Sequence, residues 1–240
     1  MYYKSENRLT YRIGVDERMR KLKTVELFAG TESFSKVMAQ HGHETFTVDN
    51  NSKFNSDLTI DLLHDNLSVL SSNLFDKLAD ADILWMSPLC TSFSLASGNT
   101  HWTADREPKT QTARDGYALL KLCEAFAEDF EKRGKIFFIE NPNGRAVWFL
   151  PNKWLKRVWY CQYGDTRAKP TNIWTNLDID FKTCKSFRKG KPKHCHHESA
   201  PRGSKTGTQG LKGNMERSVI PPRLFESILD RISKLGVVDE

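Results

Sequence analysis

Three short apolar runs, each closed by a chain-turning residue, constrain this chain more than any other feature. Thr24–Ala29 (TVELFA) runs into Gly30, Ala81–Ser87 (ADILWMS) into Pro88, and Lys135–Glu140 (KIFFIE) into Asn141-Pro142. Short apolar runs bounded by turn residues read as buried strands. Segments with helical spacing lie between them. Ser33–Gly42 ends on a glycine and is followed by a strand-like stretch, Glu44–Asp49; Gly116–Gly134 is an amphipathic helix, also closed by glycine. Strand, helix and strand in alternation predict an α/β fold on a mostly parallel sheet. Arg157–Tyr163 and Thr171–Asn176 read as two later strands, and the stretch around IPPRLFESILDRISKLG as a C-terminal helix with proline in its first turn.

In an open parallel sheet the binding crevice lies at the C-terminal ends of the strands. Whatever follows Ala29, Ser87 and Glu140 is therefore the place to look for chemistry. The first turn, Phe28, Ala29, Gly30, Thr31, Glu32 and Ser33, has a single glycine that lets backbone N–H groups approach a ligand. It lacks the Gly-Lys-Ser/Thr of a phosphate-binding loop and the three glycines of a dinucleotide turn. With Asp49 closing the second strand and Asn50 after it, the arrangement suits a nucleoside without a pyrophosphate. Asp61 is either an adenine-amino acceptor or a capping residue.

Five cysteines, an odd count, and an opening stretch with no apolar signal-peptide core lead to the expectation of thiols rather than a disulfide framework. Cys123, on a helix, and Cys161, in a predicted strand, fit buried filler. Cys90 stands apart in Met86–Ser94 (MSPLCTSFS), directly after a buried strand and among hydroxyl groups. Glu140, at the end of the next strand, is costly to bury unless it is used. Together they place a nucleophile and a proton donor in one crevice.

From 177 to 217 the hydrophobic periodicity fades. Lys182–Lys193 (KTCKSFRKGKPK), Arg202, Lys205 and Lys212 carry much of the net charge of +6. Two readings stay open: a solvated loop, or a surface that contacts phosphates. Cys184, Cys195 and His197 are conceivable zinc ligands, but ten residues separate the two cysteines, unlike the short spacing of a zinc knuckle. No metal is expected. No apolar run reaches the ~18 residues of a membrane span, and a cytoplasmic protein is expected.

These residues carry a family resemblance. VELFAGTES resembles the cofactor turn of the carbon-5 cytosine DNA methyltransferases, most closely their compact bacteriophage-type members. SPLCTSFS resembles their nucleophile loop and IENP their Glu-Asn motif. YCQYGDTRAKPTNIWTN resembles their basic motif, and ERSVIPPRLFESIL the C-terminal motif that packs back near the cofactor. The blocks stand in family order. Leu89 departs from the pattern before the cysteine, and Thr91 after it. Arg167-Ala168-Lys169-Pro170-Thr171 stands in place of Gln-x-Arg-x-Arg, which leaves open whether Arg167 or Lys169 faces the base.

The resemblance implies a Rossmann-like S-adenosylmethionine-dependent methyltransferase fold. It implies an N-terminal extension over 1–22, a catalytic domain over 23–176, a small target-recognition insert over 177–217 and a returning C-terminal helix over 218–240. It implies S-adenosylmethionine as cofactor, held by the turn, Asp49, Asn50, Asp61, Pro88, Ser218 and Val219. It also implies a monomer acting on double-stranded DNA from a flipped-out cytosine, in restriction-modification or a related role. Cys90 would attack the ring, Glu140 would supply a proton, Asn141 would orient the pocket, and Arg167 or Lys169 would add positive charge. Ser92, Ser94, Arg167, Lys169, Arg202, Ser204, Lys205, Thr206 and Thr208 would contact DNA. Two other readings compete: an amino-nitrogen methyltransferase of cytosine or adenine, to whose stacking loop Ser87-Pro88-Leu89-Cys90 also bears likeness, and a degenerate relative that only binds DNA.

Overall fold

A computed structural model describes residues 20–64, 67–184 and 214–235. Seven strands form one sheet: β1 (Lys23–Leu27), β2 (Glu44–Asp49), β3 (Leu58–Thr59), β4 (Ile83–Met86), β5 (Ile136–Pro142), β6 (Leu155–Trp159) and β7 (Pro170–Thr175). Their order is β3-β2-β1-β4-β5-β7-β6. β1 to β5 run parallel, and β7 is inserted antiparallel between β5 and β6. This is the mostly parallel, doubly wound Rossmann-like α/β fold expected from the alternating pattern.

The strand period of two sorts each apolar run onto both faces of the sheet. Leu84 and Met86 of β4, with Val25, Leu27, Phe137 and Ile139, meet α2 (Leu67–Asp80) and α3 (Gln111–Lys132). Ile83 and Trp85, with Ile136 and Phe138, meet α1 (Ser33–Gln40) and α5 (Pro222–Lys234). Both faces are covered, so the strands read as continuous rather than alternating apolar runs. α5 is the strongly amphipathic element: Leu224, Phe225, Ile228 and Ile232 are buried, and Phe225 packs edge-on against Phe34 and Trp85 at 5.5 and 4.9 Å between centroids. A short helix, α4 (Asn214–Ser218), precedes it. Among the described residues no helix is long and apolar enough to cross a membrane.

Several boundaries differ from the sequence expectation. β6 is Leu155–Trp159, and Tyr160–Tyr163 coils into a single 3-10 turn closed by Gly164 in a left-handed conformation. Cys161 is therefore a turn residue, although buried. β5 continues through Asn141-Pro142 because β7 supplies an antiparallel partner there, Asn172 opposite Asn141 and Thr171 opposite Pro142. α3 starts earlier, at Gln111, where the Thr110 hydroxyl accepts from the Ala113 amide as an N-cap.

β1 also carries a buried charge that the apolar pattern passed over. Glu26 is buried, and its carboxylate accepts from the Phe34 and Ser35 amides at the start of α1, at 3.3 and 2.8 Å. Burial pushes its pKa up to about 7, against the pull of those bonds. An acid raised in the folded state destabilises it once ionised: the cost is absent below the unfolded value near 4.5, grows as pH rises toward 7, and is constant above. The span corresponds to about 3 kcal/mol at most. Urea denaturation at pH 5 and pH 8 is expected to show this loss in the wild type, and a much flatter pH dependence in Glu26→Gln.

Candidate active site

The sheet order reverses between β1 and β4, so their C-terminal ends flank a crevice. The turn after β1 is conformationally demanding. Phe28, Gly30 and Glu32 all adopt positive φ, at 60°, 48° and 55°. For the two side-chain-bearing residues this costs on the order of 1 kcal/mol or more each. Local bonds hold the turn: Ala29 N–H donates to the Val48 carbonyl, Glu32 N–H to the Ala29 carbonyl, and Gly30 N–H to Asp49 Oδ2, at 3.0, 2.7 and 2.9 Å. Asp49 Oδ1 accepts from the Asn51 amide at 2.9 Å. Each carboxylate oxygen has a second lone pair, so half-buried Asp49 can brace the turn and still accept from a ligand hydroxyl. Thr31 and Ser33 hydroxyls lie 3.1 Å apart, and Ser33 Oγ accepts from the Ile220 amide at 3.3 Å. The chain segment before α5 thus docks onto this turn, with Val219 exposed beside it and the Ser218 hydroxyl bonded to the Met215 carbonyl. Asn50 is exposed, and Asp61 Oδ1 accepts from the Leu63 and His64 amides of the following turn at 2.9 and 3.2 Å.

Beyond β4 the chain turns at buried Pro88 and presents Cys90 at the surface of the crevice. The turn is tied from three sides. Ser87 N–H donates to the Leu27 carbonyl, Asn141 Nδ2 to the Pro88 carbonyl at 3.3 Å, and the Phe93 and Ser94 amides both donate to the Cys90 carbonyl at 3.1 Å. Farther out, Phe93 stacks on Trp102, whose indole N–H donates to the Ser92 carbonyl, and both rings meet Phe149. Arg145, buried and unforeseen from sequence, donates from its amide to the Phe93 carbonyl and from its guanidinium to the Ser94 carbonyl, at 2.8 and 3.0 Å. Gly144 lets that strap approach: a Cβ there would lie 2.3 Å from the Phe93 carbonyl oxygen. Gly144→Ala is expected to destabilise the fold by roughly 1–3 kcal/mol in urea denaturation, the usual cost of overpacking, and to displace the Cys90 loop.

Glu140, on β5, is buried. Its Oε1 accepts from the Tyr160 hydroxyl at 2.8 Å. Burial raises its pKa, with Lys169 and the Tyr160 bond pulling the other way. Lys169 is also buried, with its ammonium 4.8 Å from the Tyr160 ring centroid and bonded to the Arg217 carbonyl at 2.7 Å. Burial lowers its pKa, and the Glu140 carboxylate restores part of it. The Cys90 thiol feels the same pair: crowding by protein atoms and the Glu140 charge raise its pKa, while Lys169 lowers it. One face of Cys90 is open to solvent even so. Three groups from β4, β5 and the entry to β7 therefore act on each other's charge. A proton on Glu140 removes the negative charge that opposes the thiolate, while positive charge on Lys169 favours it.

The structure separates two residues that the sequence left as alternatives. Arg167 grips Asp165 through Nε and Nη2 and donates to the carbonyls of Glu216 and Val219 at 2.8 and 3.3 Å. It is committed to pinning the segment before α5. Lys169 is the cation beside Glu140 and Tyr160. Ser92 is a correction: it is fully buried against Gly116 of α3, where a Cβ would come within 2.7 Å of its hydroxyl, so it cannot reach DNA in this arrangement. Ser94 is half-buried in the loop bridge to Gly144. Cys184 is buried against Cys161 and Ala168. Arg202, Ser204, Lys205, Thr206, Thr208, Cys195 and His197 lie outside the described residues. Among the described residues no cluster of His, Cys, Asp and Glu could hold a metal ion. Tyr160 and Asp165 were also missed. Tyr160 read as one more apolar strand position, and only the fold shows its hydroxyl facing Glu140.

No family model matches the chain, and none of the curated proteins searched does. Among solved structures, that of the Entamoeba histolytica methyltransferase EhMeth resembles it with a TM-score of 0.44 and 14% identity. The match covers 68% of this chain and 56% of that one. The chain thus spans little more than half of that protein's length, and a likeness so slight carries no inference about chemistry.

Proposed function

We propose that the chain is an S-adenosylmethionine-dependent methyltransferase that acts on carbon 5 of cytosine in DNA. One observation carries this reading. An accessible thiol at the end of β4 shares its electrostatic environment with a buried carboxylic acid on β5 and a buried ammonium before β7. Nucleophile, proton donor and cation are what addition to an electron-poor ring requires.

The cofactor side fits a nucleoside. The positive-φ turn exposes backbone at Gly30, where a Cβ would meet nothing nearer than 4.0 Å, and Asp49 keeps acceptor capacity at the end of β2. When bound, S-adenosylmethionine supplies an electrophilic methyl group. The rest belongs to this chain. A cytosine must leave the duplex to reach Cys90. The thiolate forms a bond to carbon 6, the electrons of the carbon 5–carbon 6 double bond move into the ring, and Glu140 passes its proton to ring nitrogen 3. Carbon 5 then takes the methyl group. A base removes the carbon 5 proton, the sulfur–carbon bond breaks, nitrogen 3 returns its proton to Glu140, and the thiolate is restored. Lys169 holds positive charge near the pocket while Glu140 changes charge.

Double-stranded DNA as partner rests on the net charge of +6 and on the motif resemblance. The test is direct. DNA incubated with the purified chain and isotopically labelled S-adenosylmethionine is digested to nucleosides for mass spectrometry. Labelled 5-methylcytosine is the expected product. Label on an exocyclic amino group would establish the amino-nitrogen reading instead. Cofactor binding absent from calorimetry, with DNA bound, would leave only the non-catalytic relative.

A further inference from the structure

We propose that Tyr160 is a positioning residue that sets the donor–acceptor polarity of Glu140, so that the pocket accepts a ring nitrogen carrying a lone pair and rejects one carrying hydrogen. The inference rests on the reading above and adds to it the element that tells cytosine from uracil and thymine.

The geometry is specific. Tyr160 lies in the 3-10 turn after β6, on the far side of β7 from β5, and its ring is fully buried. A buried phenol hydroxyl needs a partner, and this one is Glu140 Oε1, at 2.8 Å. The Thr171 hydroxyl, on β7, donates to the Lys169 carbonyl at 3.2 Å, and Lys169 packs over the phenol ring. Burial and the Glu140 charge keep the phenol protonated far above neutral pH, so it remains a donor. Oε1 is thereby held as an acceptor. Among the described residues Oε2 takes no hydrogen bond.

A neutral Glu140 has one proton. With Oε1 accepting from Tyr160, that proton sits on Oε2, and Oε2 faces a ligand as a donor. Cytosine offers an acceptor at ring nitrogen 3. Uracil and thymine carry hydrogen there, and two donors would meet. Without the phenol, the carboxyl group can turn over and present an acceptor, and the discrimination falls. The charged groups around Glu140 are Lys169 and the Cys90 thiol, with Arg167 and Asp165 acting on Lys169. None of them donates a hydrogen bond to Oε1, so the polarity is the work of Tyr160.

Tyr160→Phe removes one oxygen and keeps the ring. Two readouts test it. The first is the infrared carboxyl band of Glu140 in the free chain, titrated with pH and assigned by its loss in Glu140→Gln. Loss of a bond that favours the carboxylate is expected to move the Glu140 midpoint to higher pH. The second is covalent capture by duplexes holding 5-fluorodeoxycytidine or 5-fluorodeoxyuridine at the target. The wild type is expected to prefer the cytosine analogue, and Tyr160→Phe to narrow that preference about tenfold, the worth of one hydrogen bond of about 1.4 kcal/mol. An unchanged midpoint, or capture of both analogues slowed alike, would overturn the proposal. If the wild type captures neither analogue, the methyltransferase reading fails, and the infrared midpoint still decides whether Tyr160 governs Glu140. Should Tyr160→Phe not fold, 3-fluorotyrosine placed at 160 strengthens the donor and is expected to lower the midpoint; no shift there overturns the proposal equally.

Discussion

Cys90→Ala is expected to abolish methyl transfer to DNA, with a rate loss of at least ~10⁴ and no covalent complex with 5-fluorocytosine DNA. The expected size follows from the chemistry. Without the thiolate no bond forms at carbon 6, and carbon 5 never gains the electron density it needs to attack a methyl group. A loss of ~10⁴ corresponds to about 5.5 kcal/mol of transition-state stabilisation. The substitution should not disturb the fold, because Cys90 is exposed and its loop is held by main-chain and neighbouring side-chain bonds, among them Asn141 to the Pro88 carbonyl. Labelled product counted by nucleoside mass spectrometry, with urea denaturation as a fold control, checks it. An undiminished rate in Cys90→Ala would remove the thiol from the mechanism and leave the amino-nitrogen reading in its place. Cys123 is the internal control. It is buried on α3, where burial pushes its pKa above the ordinary thiol range, and Cys123→Ala should leave activity in place.

Glu140→Gln is expected to lower the maximal rate by roughly 10²–10⁴, the usual worth of positioned proton transfer, with little change in apparent affinity for DNA. Glutamine keeps the shape of the side chain. Its oxygen can still accept from Tyr160 and its amide can still donate to ring nitrogen 3, but it has no proton to give up. An interaction lost only in the transition state lowers the rate constant without raising the Michaelis constant. The pH profile adds a sign. Burial holds the Glu140 proton above the ordinary carboxylate range. The wild-type rate should therefore fall on the alkaline side as that proton is lost. Glu140→Gln has no such group, and its alkaline limb should vanish. Steady-state rates across pH in both proteins provide the measurement. A retained alkaline limb in the variant would assign the required proton to another group, with Lys169 the buried neighbour to examine.

Much of this architecture is written locally. The period of two in Ile83–Met86 and Ile136–Ile139 sends successive side chains to opposite faces, and both faces are buried, so each strand was legible as an apolar run. Gly30, Pro88 and Asn141 mark where the chain leaves those runs, and the crevice follows from the rule for parallel sheets. The errors are local as well. Arg157–Tyr163 looked like one strand because Val158, Tyr160, Cys161 and Tyr163 are all buried. Burial alone does not separate an extended strand from a 3-10 turn that packs into the same core. Glu26 went unread because its function is to hold the amides of α1, and a hydrogen bond to a helix start eight residues later leaves no periodic trace.

By itself the sequence determined the α/β layout, the strand ends that border the crevice, and the standing of Cys90 and Glu140 as neighbours at those ends. Each depends on short-range patterns of apolar and chain-turning residues, which are local properties. Tertiary structure alone decided which cation serves the pocket and which atom orients the acid. Arg167 and Lys169 are two residues apart and chemically alike in sequence. One is drawn to Asp165 and the carbonyls of Glu216 and Val219, and the other is buried beside Glu140 and Tyr160. The bond from Tyr160 to Glu140 likewise depends on β7 reversing between β5 and β6. Hydrogen-bond partners are chosen by what the folded chain brings within 3 Å, and no spacing along a single segment encodes that.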